Sequence, residues 1–316
     1  MSPLAPFVRR ICTILALLAT LTGCGDATEQ GTAAPITTLT AAEATGTAVT
    51  PLRGGTATIG VIGDLRALNP AFAPDSLAAT IFRPVVEGLF ERDPEGRPRA
   101  WLAESVPAPG KGISADGRTV ILRLRQGVAW EDGRAFTAND VLFTYAAAQN
   151  PDNPFAPEVA AAYRAIRAVD ALDPYTVRLT LAEPGDAYLR AFSPIFPAHL
   201  FNDRTGLADH PYARAPFGTG PFRFGEWTPG SSLTLVRSAS YRRSDRPYLA
   251  AITFRAFPDR VAADAALSAR TIDLLLSTDG QTLTAPANDG GALRGIAPAP
   301  NASPTWNAQE WWRAER

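Results

Sequence analysis

The stretch Thr137-Ala138-Asn139-Asp140-Val141-Leu142-Phe143-Thr144-Tyr145-Ala146 carries a helix start and a helix face in ten consecutive residues. Thr137 with Asp140 three positions later is a capping-box arrangement, Asp standing where Glu or Gln is usual. Val141, Leu142, Tyr145 and Ala146 follow at helical spacing until Asn150-Pro151 stops the run. Downstream, Thr176-Val177-Arg178-Leu179-Thr180-Leu181 alternates strictly, with Val177, Leu179 and Leu181 on one side, the period of a half-buried strand. A capped helix followed by an alternating strand points to an α/β body.

Weaker strand patterns lie at Thr56–Val61, Val120–Leu124, Leu233–Val236 and Ile252–Phe254, which predicts a mixed sheet. Pro157 suits a first helical turn, Asp259 a cap for a helix through Leu267, and Ser76 the opening of a helix toward Leu89 that Pro84 breaks or kinks. After about Ser277 the periodic signal decays into Gly, Ala, Pro, Thr, Asn and Asp, and a loop with an irregular tail is expected there.

Arg9 and Arg10 precede an apolar run, Ile11 to Leu21, too short for a permanent span, and the pattern reads as a signal peptide over residues 1–23. Leu21-Thr22-Gly23-Cys24 resembles the bacterial lipobox, so Cys24 is expected to become an acylated first residue. Residues 24–53 are rich in Ala, Thr and Gly with almost no large apolar side chains, the composition of a flexible tether.

Cys12 and Cys24 are the chain's two cysteines and His199 and His210 its two histidines, so a disulfide-built core or a thiolate and imidazole zinc site lacks residues. The net charge of −1, without long runs of one sign, gives no electrostatic footprint for nucleic acid. With Lys111 the only lysine, the arginine excess reads as composition and not as a phosphate-binding device.

In order along residues 54–275, Leu68-Asn69-Pro70, Glu87-Gly88-Leu89, Leu102-Ala103-Glu104-Ser105, Asp116-Gly117-Arg118-Thr119, Trp130 through Asp132-Gly133, Phe136 through Val141, Pro197-Ala198-His199 and Gly218-Thr219-Gly220-Pro221 resemble the oligopeptide, dipeptide and nickel-binding family of extracytoplasmic solute-binding proteins of ABC transporters. The resemblance implies a periplasmic-binding-protein type II α/β lobe with a mixed sheet. It further implies capture of peptides or similar small solutes, delivery to permease subunits with a separate ATPase, a monomer, no cofactor and no nucleic acid. Family members are longer, so residues 54–255 are expected to form lobe I and residues 256–316 the start of a second lobe that is largely missing. Affinity in such proteins comes from burying ligand between lobes, so weak or absent capture is the expectation for one lobe.

The loop after the first strand lines the cleft in this family, which makes Phe72 and Asp75 cleft candidates, although Asp75 equally suits a helix cap. Phe155 falls where relatives carry an aromatic cleft residue, with core burial as the rival. Gly218, Thr219 and Gly220 lack the Lys-Ser/Thr of a phosphate loop. They read as a tight turn with glycines at positive φ, lying near the cleft by resemblance. Trp130 reads as a core tryptophan beside an Asp132-Gly133 turn.

The alternatives are a degenerate surface lipoprotein without a ligand, and a secreted hydrolase. The hydrolase needs a nucleophile, a base and an orienting acid, and no G-x-S-x-G elbow is present.

Overall fold

A computed structural model describes residues 53–65, 77–93, 96–204, 206–277, 282–284 and 305–307. In chain order its elements are β1 (Thr56–Ile62), α1 (Leu77–Phe82), β2 (Phe90–Arg92), β3 (Pro98–Ala100), β4 (Ala108–Pro109), β5 (Gly112–Ile113), β6 (Thr119–Arg123), α2 (Ala138–Ala148), α3 (Pro157–Arg164), β7 (Ile166–Asp173), β8 (Thr176–Leu181), β9 (Phe222–Thr228), β10 (Ser232–Arg237), β11 (Ala251–Phe257), α4 (Arg260–Ser268), β12 (Leu274–Leu276), β13 (Thr282–Thr284) and β14 (Thr305–Asn307).

The described strands form the expected mixed sheet, together with a second sheet and a two-stranded ribbon. The larger sheet runs β14-β13-β12-β1-β11-β10-β9, and the smaller β4-β5-β6-β8-β7. In the larger, β1 is parallel to both β11 and β12, while β10 and β9 continue antiparallel. The alternation of β8 holds as expected: Val177, Leu179 and Leu181 are buried and Arg178 is exposed. Opposite them on β6, Leu122 faces Val177 and Val120 faces Leu179. These pairs seed a core that also takes in Trp130, Phe136, Val141 and Tyr163.

A second core covers one face of the larger sheet, with Ile59, Val61, Leu235, Ile252, Phe254 and Leu274. A third, smaller one on the other face joins Ala263 and Leu267 of α4 to Phe257, Ile272 and Leu275. Gly60 makes that second face possible, since a Cβ there would stand 2.5 Å from Ile272 Cδ1.

Thr137 caps α2, and the Asp140 carboxylate accepts the Thr137 N–H at 2.9 Å, closing the capping box. The buried stripe is wider than the pattern Val141, Leu142, Tyr145, Ala146 indicated. Phe143 and Ala147 enter the core of the larger sheet while Ala138 and Val141 enter that of the smaller, so α2 is wedged between two apolar bodies and presents a face to each. Pro157 opens α3 and the Asp259 side chain caps α4 by accepting from Ala262 N at 2.8 Å. The helix expected from Ser76 toward Leu89 is described only over Leu77–Phe82; Pro84 ends it in a turn.

β11 runs across residues 255 and 256, β12, β13 and β14 join the sheet of β1, and α4 packs on its face. The tail beyond Ser277 contributes β13 and β14, each only three residues long and therefore too short to show a period. The signal peptide, Cys24 and residues 24–52 of the tether lie outside the described residues.

Candidate functional site

At the carboxyl ends of β1 and β11 the chain departs to opposite faces of the sheet. After β1 it leads to α1, whose Ile81 and Phe82 pack with Ile59 and Val61. After β11 it enters α4 on the other face, then crosses β1 to place β12 on the far side. Neighbouring strands whose connections diverge in this way leave a crevice outside their carboxyl ends, where open α/β sheets hold ligands. Gly63, at φ 127, donates to the Phe257 carbonyl at 3.2 Å, and Leu65 is buried with its carbonyl accepting Trp227 Nε1 at 2.7 Å. These bonds fix where the loop begins. Phe72 and Asp75 lie outside the described residues.

Gly218, Thr219 and Gly220 sit at the other end of the sheet. Phe222, which follows them, donates to the Pro84 carbonyl and pairs with Arg237, at the end where β1 begins. The separation is the length of β1, seven residues, about 20 Å at strand rise. Their glycines are not there for positive φ, and this overturns the turn explanation. A Cβ on Gly218 would lie 1.7 Å from the Val85 carbonyl oxygen and one on Gly220 2.3 Å from that of Pro84. The loop is glycine because the backbone after α1 presses directly against it.

Thr219 completes a buried polar node that the sequence reading left unassigned. The Glu87 carboxylate, without side-chain exposure, accepts from Thr219 Oγ1 at 2.7 Å, Trp101 Nε1 at 2.6 Å and Arg242 Nη1 at 2.7 and 2.9 Å. The guanidinium of Arg242 also lies over the rings of Trp101 and Tyr241, at 5.1 and 4.9 Å. An acid inside the apolar run Val85-Val86-Glu87-Gly88-Leu89-Phe90 was the available signal, since a buried carboxylate requires partners.

The Asp132-Gly133 turn is present, with Gly133 at φ 84 and Trp130 buried. His199 Nε2 stands 3.0 Å from Asp132 Oδ2, and its ring meets Trp130 and Phe217 edge-on. His210 accepts the Tyr212 N–H through Nδ1 and packs on Phe201 at 4.4 Å. Both histidines thus hold loops together. Glu131, between Trp130 and Asp132, is pushed up to about 7 by burial. Its hydrogen bond from Gly218 N and the charge of Arg223 pull the other way, and Asp132 adds to the rise.

Phe155 is half-buried and packs against both main cores, edge-on to Tyr163 at 5.9 Å and Phe196 at 6.2 Å. The structure therefore brings Gly218, Thr219 and Gly220 together with Glu87, and it places Phe155 in the seam between the two sheets.

A mixed sheet whose connections diverge after β1 and β11, joined through a wedged helix to a smaller sheet, has the architecture of a solute-binding protein lobe. The chain belongs to the bacterial extracellular solute-binding proteins, family 5, whose middle-region model matches residues 97–305. The oligopeptide-binding protein AppA of Bacillus subtilis is 29% identical over 229 residues, covering 71% of this chain and 41% of AppA. The glutathione-binding protein GsiB of Pectobacterium atrosepticum is 32% identical over 208 residues, 64% of this chain and 38% of GsiB. Among solved structures, AppA of B. subtilis in complex with a nonapeptide superposes with a TM-score of 0.65 at 27% identity, over 72% of this chain and 45% of that one. NikZ of Campylobacter jejuni in complex with Ni(L-His) gives 0.61 at 28%, over 70% and 43%. The chain thus spans about two fifths of the length of these curated relatives.

Proposed function

We propose that this chain is the solute-capturing component of an ABC transporter, with peptides or similar small solutes as its ligands, and that it performs no chemistry on them. The divergence of the connections after β1 and β11 carries the reading, because open α/β sheets hold ligands outside such strand ends, and Phe72 and Asp75 follow β1 in sequence. Phe72 supplies an apolar wall and Asp75 a carboxylate for a cationic amino group, the mixture a peptide site requires. The names of AppA and GsiB, an oligopeptide and a glutathione binder, support peptides and related solutes as the ligand class. Phe155, Gly218, Thr219 and Gly220 act as supports of the body that holds this edge.

Acylated Cys24 fastens the monomeric protein to the outer face of the cell membrane, with residues 24–53 as tether, beside permease subunits served by a separate ATPase. Labelling cells with a radioactive fatty acid tests the anchor: Cys24→Ser is expected to lose the label.

The capture itself is tested by calorimetric titration of the full chain with a mixture of short peptides. Saturable heat, reduced about tenfold or more in affinity by Phe72→Ala with Asp75→Asn, is the expected result. Weak binding fits a single lobe, and saturable heat that Phe72→Ala with Asp75→Asn leaves unchanged would overturn the reading.

A further inference from the structure

On the side of the larger sheet where β1 begins, far from the crevice, a cavity of about 700 Å³ opens between β3, the loop after β6 and the loop after β10. Its lining includes Arg99, Arg125, Arg242 and Arg243 with Glu104, and two of these arginines already carry a carboxylate outside the lining, Glu87 behind Arg242 and Asp245 beside Arg243. The excess of arginine in the composition points nowhere by itself. Four guanidiniums around one cavity are a different matter, because they still outnumber the carboxylates near them and offer several fork-shaped donors to one volume.

The guanidiniums are also held in place. Arg242 is fixed from behind by Glu87, its side chain only 15% exposed, and lies over Trp101. Arg99 lies over the same indole, 5.9 Å from its centroid. Arg125 donates through Nε to the Trp101 carbonyl at 2.6 Å, which leaves its terminal nitrogens for other acceptors. Trp101 is thus the post around which three arginines are arranged before any ligand arrives. Such preorganisation lowers the entropy cost of binding, and planar guanidinium forks match carboxylate and phosphate oxygens two at a time. Arg243, paired with Asp245 at 3.3 Å, lines the rim of the same cavity.

We infer that this cavity is a second ligand site, separate from the crevice, for a small molecule carrying two or more carboxylate or phosphate groups. The volume suits a ligand well beyond a single inorganic ion. Its lining shares no residue with the loop after β1, so its occupant need not compete with a captured peptide.

The test is calorimetry on the full chain at fixed ionic strength, with citrate and pyrophosphate as probes and acetate as the monovalent control. Saturable one-site binding of citrate, of pyrophosphate or of both is expected, with acetate about tenfold weaker or more. Which of the two binds more tightly assigns the site to a polycarboxylate or to a phosphorylated ligand. The double variant Arg99→Gln with Arg243→Gln, both on the rim, is expected to lower affinity about tenfold with an unchanged melting temperature. Failure of both probes to saturate, or equal binding by the double variant, overturns the inference. Because the peptide titration uses Phe72 and Asp75, the two results stand or fall separately.

Discussion

The carboxylate of Asp140 accepts the backbone N–H of Ala198 at 2.9 Å, joining the first turn of α2 to a segment 58 residues further along the chain. The same carboxylate holds the Thr137 N–H at 2.9 Å and the Trp130 indole at 3.4 Å, and Asp140 is 4% exposed. A residue that looks like a local cap is therefore also the tie between α2, the Trp130 turn and the His199 segment. Burial raises its pKa, against the pull of the Thr137 and Ala198 bonds. Replacement by Ala removes the acceptor of all three bonds at once and strands two backbone donors and the indole N–H. A loss of about 3 kcal/mol is expected in urea unfolding, beyond the 1 kcal/mol typical of a cap alone. A loss within the range of a simple cap would show that the tie to Ala198 contributes nothing.

The Glu87–Arg242 pair makes a different prediction, because each member is costly without the other. Glu87→Ala leaves a mostly buried guanidinium with no carboxylate, and about 3–5 kcal/mol of stability should be lost. Arg242→Ala leaves a buried carboxylate that keeps its Trp101 and Thr219 donors. The double variant should therefore lose clearly less than the sum of the two, by at least about 1 kcal/mol in a double-mutant cycle. Additive losses would mean that the pair is not coupled.

Much of this architecture was legible in residue order, and what was not has a physical cause. β8 read true because one face is buried and the other wet, which is what makes alternation visible. β7 pairs with β8 at the edge of the smaller sheet and carries Arg167, Asp170 and Asp173, so its sequence has little apolar pattern to detect. β12, Leu274–Leu276, is buried on both faces and shows a continuous apolar run too short to distinguish from a helix turn. The second sheet was missed because separate cores come from long-range pairing, and α2 between them shows a broad face that resembles a single stripe. In the candidate site, the loop after β1 was found through its position after a strand. The Glu87, Trp101 and Arg242 node unites residues up to 155 positions apart, which no local pattern announces.

Gly218 gives the sharpest structural prediction. Any side chain there meets the Val85 carbonyl oxygen at 1.7 Å, and its other near neighbours are backbone atoms of the same Val85–Val86 peptide, which has no flexible end to yield. Gly218→Ala should cost at least about 4 kcal/mol or prevent folding. Gly133→Ala is the contrast, since its positive φ of 84° is strained for Ala but nothing lies within 4 Å of the new Cβ. About 1 kcal/mol is expected there. Thermal unfolding of both variants ranks them, and a similar small loss in each would mean that the loop carrying Gly218 moves away freely from Val85.

Glu131 should give the stability a pH dependence opposite to that of most carboxylates. Its pKa is raised from 4.5 to about 7, chiefly by burial, so between those values the folded protein keeps a proton that the unfolded chain releases. Stability contributed by this group is therefore fully present below pH 4.5 and declines as the pH rises to about 7. Glu131→Gln resembles the protonated side chain and retains an oxygen for the Gly218 N–H, at 3.0 Å in the native pair. Wild type and variant should be nearly equal at pH 4, and the variant should be more stable at pH 8 by roughly 2–3 kcal/mol. Urea midpoints for the two proteins, measured at intervals across that range, isolate this site from every other titrating group, since only the difference between the curves matters. A difference that stays level from pH 4 to 8 would mean that Glu131 titrates alike in the folded and unfolded chains.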